Sequence, residues 1–196
     1  MPVILLFAAR LFEFGLLRGR SVNLLFLDMK SALIPFLICL FAVSGSAVAA
    51  DEAVLAPDCR FAGFESAPER SLSQYRGKVV YLDFWASWCG PCLESFPFMN
   101  RLHSQLQDKG LVVLAVNLDE NLEDGAQFLA QHRVDFAVAV DSGQACAKQL
   151  QLKAMPSSYL IDRNGRIRAR HLGFRVGEAE QFGKQVEQLL DEPTAP

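Results

Sequence analysis

The stretch Val79-Val80-Tyr81-Leu82-Asp83-Phe84-Trp85-Ala86-Ser87-Trp88-Cys89-Gly90-Pro91-Cys92 constrains the fold more than any other part of the chain. Its first half is an apolar run rich in β-branched and aromatic residues, the pattern of a buried strand. Its second half is Cys-x-x-Cys, followed by residues at helical spacing. Such an arrangement carries two thiols from a strand to the head of a helix. Unpaired N–H groups and a partial positive charge there favour thiolate over thiol at Cys89. In motifs of this kind a Cys pKa falls from about 8.5 to between roughly 3.5 and 7.5, and thiolate is the form that attacks disulfides. Pro91 falls in the first helical turn, where no N–H is needed, and Gly90 leaves the approach to Cys89 open. Cys92 comes one turn in, placed to resolve a mixed disulfide formed on Cys89. Trp88 is expected to shield the pair from water on one side. A lone Cys-x-x-Cys is also half of a zinc site. No second Cys-x-x-Cys or His-x-x-x-His follows at ligand spacing, so no metal is expected.

Asp83–Cys92 resembles the active-site segment of thioredoxin, and the wider pattern resembles the TlpA/ResA-like branch of secreted and membrane-tethered thioredoxins. The resemblance runs from about Asp58 to Leu190. It rests on Trp88-Cys89-Gly90-Pro91-Cys92, on Met155-Pro156 and on Leu160-Ile161-Asp162-Arg163-Asn164-Gly165. It implies one α/β domain of thioredoxin fold over 58–191. A central mixed β-sheet would be flanked by helices, with an N-terminal β extension and a central helix–strand insertion. Hydrophobic periodicity predicts helices over Pro91–Lys109, Asn121–Arg133, Gly143–Leu150 and Glu178–Leu190. Further strands are expected over Leu111–Asn117 and Phe136–Val140. Ser157–Asp162 and Arg166–Leu172 are expected to pair as a hairpin around Asn164-Gly165. Cys59–Phe64 reads as a short edge strand and 51–57 as a linker, with 192–196 a tail.

The chain has 196 residues, 51% hydrophobic and 21% charged, and the apolar surplus lies in 1–50. A formal charge of -3 gives no reason to expect nucleic acid. Met29-Lys30, the apolar run Ala32–Val43 and the small residues up to Ala50 have the form of a secretory signal, with cleavage near Ala49 or Ala50. Translation starting at Met29 leaves Met1–Asp28 as an upstream extension. The alternative is an uncleaved anchor, since Ser31–Ala50 is uncharged and approaches the ~20 residues that span a bilayer. Export would place the chain in an oxidising compartment. With Cys39 removed in the signal, Cys59 and Cys146 remain outside the Cys89/Cys92 pair. They are either a second bridge or two separately buried thiols.

The resemblance also assigns roles. Pro156, after Met155, corresponds to the cis-proline that lies against the thiols, where a client would dock as an added strand. Trp88, Gly90, Pro91, Met155 and Pro156 would then line the substrate site. Asp83 corresponds to the buried acid of thioredoxin, which takes the proton of Cys92 as that thiol attacks. Gly173 corresponds to a glycine with a positioning role only. The branch often carries a carboxylate three residues after the second Cys. Here that position is Ser95, and Glu94 is rotated from it by ~100°.

The implied activity is periplasmic thiol–disulfide exchange, in the reducing direction, through Cys89 and Cys92 with no added cofactor. The partners implied are disulfide-bearing clients (apocytochrome c, a disulfide isomerase or a copper-site assembly protein) and a membrane thiol-transfer reductant of the DsbD/CcdA type. Two alternatives stay open. One is an oxidising disulfide donor. The other is a Cu(I)-delivery module, since soft thiolates suit that ion, although His103, His132 and His171 all fall outside the motif segments.

Overall fold

Burial on both faces explains why Val79–Trp85 is apolar at every position except Asp83. The computed structural model describes residues 54–64 and 67–193. Its strands are β1 (Arg60–Gly63), β2 (Arg70–Ser71), β3 (Val79–Trp85), β4 (Leu111–Asn117), β5 (Ala137–Val140), β6 (Ser157–Ile161) and β7 (Ile167–Leu172). Its helices are α1 (Gly90–Leu106), α2 (Leu122–Gln131), α3 (Ala145–Gln149) and α4 (Ala179–Asp191). The signal and upstream segment expected over 1–50 lie outside the described residues. Among the described residues no helix is long and apolar enough to cross a membrane.

The strands form one mixed sheet in the order β2-β1-β5-β4-β3-β6-β7. The core of the sheet is parallel: β3 pairs with β4, and β4 with β5. β6 and β7 add antiparallel on one side, β1 and β2 on the other. Side chains of β3 alternate between two buried clusters. Val79, Tyr81 and Trp85 meet α1 through Phe96, Met99 and Leu102, and α4 through Phe182 and Val186. Val80, Leu82 and Phe84 join Phe61, Leu72 and Ala147 of α3 on the opposite face. Each of the Val, Leu, Phe and Met side chains among these contributes about 1.5–3 kcal/mol by leaving water.

Two expectations are corrected at the N-terminal side. Cys59–Phe64 is not an edge strand: β1 is paired on both sides, to β5 and to the two-residue β2. The inserted β5 leaves its far side open, and β1 fills it. The stretch 51–57 is not a free linker over its described part. Leu55 bridges Arg166, the Ala56 N–H donates to the Gly165 carbonyl at 2.9 Å, and Ala56 is buried.

The β6–β7 turn is held by its own polar groups. Asp162 Oδ1 accepts from the N–H groups of Asn164 (3.0 Å) and Arg166 (2.8 Å), and Gly165 supplies the left-handed residue at φ +75°. The Arg163 guanidinium donates to the carbonyls of Leu189 and Leu190, satisfying the C-terminal end of α4. The Leu160–Gly165 motif therefore docks the last helix onto the sheet.

Candidate active site

α1 begins where β3 ends, and its first turn carries both thiols. Cys89 is the N-cap, in extended conformation, with Pro91 within the first two helical positions and no acidic residue in the first turn. An anionic sulfur at this N-cap faces the unpaired N–H groups with no competing carboxylate. Cys89 and Cys92 are joined as a disulfide, with Cα atoms 5.3 Å apart. Cys89 keeps 5% of its surface exposed and Cys92 none, so the outer and inner sulfurs are the ones the spacing predicts. Gly90 is exposed, and a Cβ built on it would meet nothing within 4 Å. A side chain at this position would therefore point into open space rather than into the fold.

Trp88 does not act as a shield: it is 73% exposed. Trp85 is the wholly buried indole of the cluster that holds both sulfurs, packed edge-on against Phe96 with ring centroids 5.3 Å apart. Strand alternation turns Trp85 inward, and the loop Ala86–Trp88 releases its last residue to solvent.

Asp83 is on the α1 face of β3, fully buried. Burial is the main effect on its carboxyl and raises its pKa to about 7, while the Ser158 hydroxyl partly offsets this by donating to Oδ1 at 2.6 Å. Oδ2 has no partner. Ser158 was not singled out in the sequence. Its signal was a hydroxyl at an inward strand position, and only the β3–β6 register shows that it stands opposite Asp83.

A second polar cluster fixes the loop before Cys89. The Asp119 carboxylate accepts from the Ser87 N–H at 3.0 Å, the Ser87 hydroxyl at 3.0 Å and Asn117 Nδ2 at 2.7 Å. The Leu118 N–H donates to the Trp85 carbonyl at 2.9 Å. Sequence reasoning missed Asp119 and Asn117, which reach the loop from the end of β4. Ser95, at the position where relatives carry a carboxylate, is buried and donates to the Cys92 carbonyl at 2.8 Å, whereas Glu94 is exposed.

The Met155–Pro156 peptide is cis, with Pro156 buried and Met155 half-buried at the start of β6. The Gly173 N–H donates to the Pro156 carbonyl at 2.7 Å, tying the end of β7 to this peptide. Gly173 has φ +78° with open space around it, so its backbone angle rather than a close approach requires glycine. Cys59 and Cys146 are bridged, Cα atoms 5.4 Å apart, on the face of the sheet opposite Cys89 and Cys92. Of the two sequence alternatives, the structure has the bridge. Asp141 holds its far end, accepting from the N–H groups of Cys146 (3.2 Å) and Ala147 (2.8 Å). Among the described residues, no group of three His, Cys, Asp or Glu side chains is placed to hold a metal ion.

A family model described as Redoxin matches residues 51–186. The chain belongs to the Redoxin family. It is 33% identical over 123 residues to the thiol-disulfide oxidoreductase ResA of Bacillus thuringiensis subsp. konkukian, covering 63% of this chain and 68% of that one. A solved structure from Chlorobium tepidum, described as a thiol:disulfide interchange protein DsbE, is 44% identical with a TM-score of 0.69, covering 71% of this chain and 98% of that one. The pneumococcal exposed lipoprotein thioredoxin of Streptococcus pneumoniae is 29% identical with a TM-score of 0.58, covering 66% and 99%. With a dithiol pair at the head of α1, this redoxin is a thiol-disulfide oxidoreductase of the TlpA/ResA-like branch.

The buried acid makes the stability of this redoxin depend on pH. Native Asp83 holds its proton up to about pH 7, whereas an unfolded Asp releases it near 4. The folded state therefore binds the extra proton between these values, and stability falls as pH rises from about 4 to 7. Asp83→Asn removes the penalty. The oxidised variant is expected to be more stable than the parent by on the order of 4 kcal/mol at pH 8, with the difference vanishing near pH 4. Urea denaturation at the two pH values measures it, and an equal difference at both would contradict the assignment.

Proposed function

We propose that this redoxin reduces disulfides in client proteins outside the cytoplasm. The Cys89 thiolate attacks one sulfur of the client disulfide, forming a mixed disulfide and releasing the other client sulfur as thiolate. Cys92 then passes its proton to Asp83 and attacks the Cys89 sulfur. The Cys89–Cys92 bond forms as the bond to the client breaks. Two electrons move from the pair to the client, so the redox group is the pair itself. Trp88, Gly90 and Pro91 on one side and Met155-Pro156 on the other form the surface against which the client lies.

The observation that carries the reducing direction is Asp83, a proton acceptor buried on the face that holds Cys92 and free at Oδ2. A base there takes the Cys92 proton as the pair closes, and a Cys-Gly-Pro-Cys pair over a buried Asp resembles that of reducing thioredoxin, whose potential lies at about -270 mV. A reductase must itself be re-reduced after each turnover, and a membrane thiol-transfer donor of the DsbD/CcdA type fits that need. Clients of matching chemistry are apocytochrome c, a disulfide isomerase or a copper-site assembly protein. Export through the segment beginning at Met29, into the periplasm or as a membrane-tethered form, fits a chain with two disulfides.

The reduction potential tests the direction. Equilibration of the Cys89/Cys92 pair with glutathione or dithiothreitol is expected to give a value near the roughly -270 mV of thioredoxin. A value near the roughly -120 mV of strong oxidants would make the protein a disulfide donor instead.

A further inference from the structure

We propose that Ser158, backed by Tyr81, is the positioning residue that divides the Asp83 carboxyl into one bound oxygen and one free oxygen, and so sets how readily Asp83 takes the proton of Cys92. The inference rests on the reading of Asp83 as the proton acceptor and goes beyond it by naming what controls that acceptor. The geometry is a buried chain of donors. Tyr81 Oη donates to Ser158 Oγ at 3.0 Å, and Ser158 Oγ donates to Asp83 Oδ1 at 2.6 Å. The antiparallel pairing of β3 with β6 puts Ser158 directly opposite Asp83, and Tyr81 two residues along β3 shares that face. Because the Ser158 hydroxyl receives the tyrosine proton, its own proton is committed to Asp83. Oδ2 is left unpartnered, on the face that carries Cys92.

Little else acts on the carboxyl. β4 presents Ala115 opposite Asp83, with Val113 beside it. Phe96 and Met99 of α1 and Phe182 and Val186 of α4 complete an apolar surround. Among the described residues the titratable groups on this face include Tyr81, the two sulfurs, His171 and His103 of α1, whose Nδ1 is buried. His171 on β7 pairs with Ser158, and its Nε2 lies 2.9 Å from Gln185 Oε1. Burial raises the Tyr81 pKa and lowers that of His171, so both are neutral near pH 7. With no opposite charge in reach, two hydroxyl groups take the place of a cationic partner. A donated hydrogen bond stabilises the carboxylate over the acid. Its removal therefore raises the proton affinity of Asp83 and leaves less of the basic form at a given pH.

The step to measure is resolution. Reduced protein mixed with dithiobis-nitrobenzoate forms Cys89–S–S–thionitrobenzoate. Cys92 then gives its proton to Asp83 and attacks Cys89, and thionitrobenzoate leaves as thiolate in a second phase. Ser158→Ala is expected to move the pH midpoint of that phase upward by about one unit, slowing it about tenfold below the midpoint. Ser158→Thr should restore the parent profile. Tyr81→Phe, which removes one hydroxyl without opening a cavity, should shift the midpoint in the same direction by less, and it stands in should Ser158→Ala fail to fold. In an Asp83→Asn background neither change should alter the resolution rate. Slowing by the same factor at every pH, or slowing that persists in Asp83→Asn, overturns the positioning role while leaving Asp83 as the acceptor. An Asp83→Asn protein with the parent rate and profile overturns the acceptor itself, and the inference with it.

Discussion

Cys89→Ala is expected to lower turnover of a protein disulfide by at least about 10³-fold, because no other group in the site can begin the exchange. Among the described residues Cys92 is the only other thiol on that face, and it has no exposed surface. A client sulfur must come into line with the attacking sulfur, and Cys92 lies a turn into α1 among buried side chains. The helix head further distinguishes the two sulfurs: Cys89 sits at the N-cap, where the unpaired N–H groups favour negative charge, and Cys92 lies within the helix. Cys92→Ala has a different consequence. The first attack survives and the second is lost, so the protein stalls after one event. Insulin reduction, followed by the precipitation of its free chain, separates the parent from both variants. Residual turnover in Cys89→Ala within tenfold of the parent would show that another nucleophile operates.

The second large effect concerns stability alone. Cys59→Ala combined with Cys146→Ala is expected to cost about 2–5 kcal/mol and to lower Tm by roughly 5–15 °C. The bridge spans a sequence separation of 87, so without it the unfolded chain regains the freedom of a long loop. It also joins the segment before β1 to α3, a helix of five residues that Asp141 anchors at its start. Both cysteines are 2% exposed, and the sheet separates them from the Cys89/Cys92 pair. Exchange activity measured well below the new Tm should therefore match the parent. An unchanged melting curve would refute the structural role. Loss of exchange in a folded variant would mean that the two disulfides communicate across the sheet.

What the sequence disclosed was periodic or local. Val79–Trp85 named the central strand because both of its faces are buried. Leu111–Asn117 matches β4 at both ends, and Phe96, Met99 and Leu102 fall on the buried face of α1 as their spacing predicts. Cys-Gly-Pro-Cys located the chemistry because its four residues are consecutive. The rest depends on register, which spacing along the chain does not carry. Ser158 matters because β6 pairs antiparallel with β3 at one alignment, and a slip of one residue would turn it to the other face. Asp119 holds Ser87 because β3 and β4 are parallel neighbours whose ends lie side by side. β1 was misjudged as an edge because its outer partner, β2, is two residues long and carries no pattern of its own. Trp88 was misjudged as a shield because two tryptophans three residues apart look alike in sequence, and only the end of the strand decides which one turns inward.

The attack by Cys89 is tested most directly by mapping the bond that a stalled enzyme holds. Reduced Cys92→Ala protein, incubated with a disulfide-bearing client and then alkylated, should carry the client in a mixed disulfide on the peptide containing Cys89, with Cys59 and Cys146 still joined to each other. A client found on either of those two cysteines, or no covalent complex at all while the parent enzyme reduces the same client, would contradict the assignment of Cys89 as the attacking sulfur.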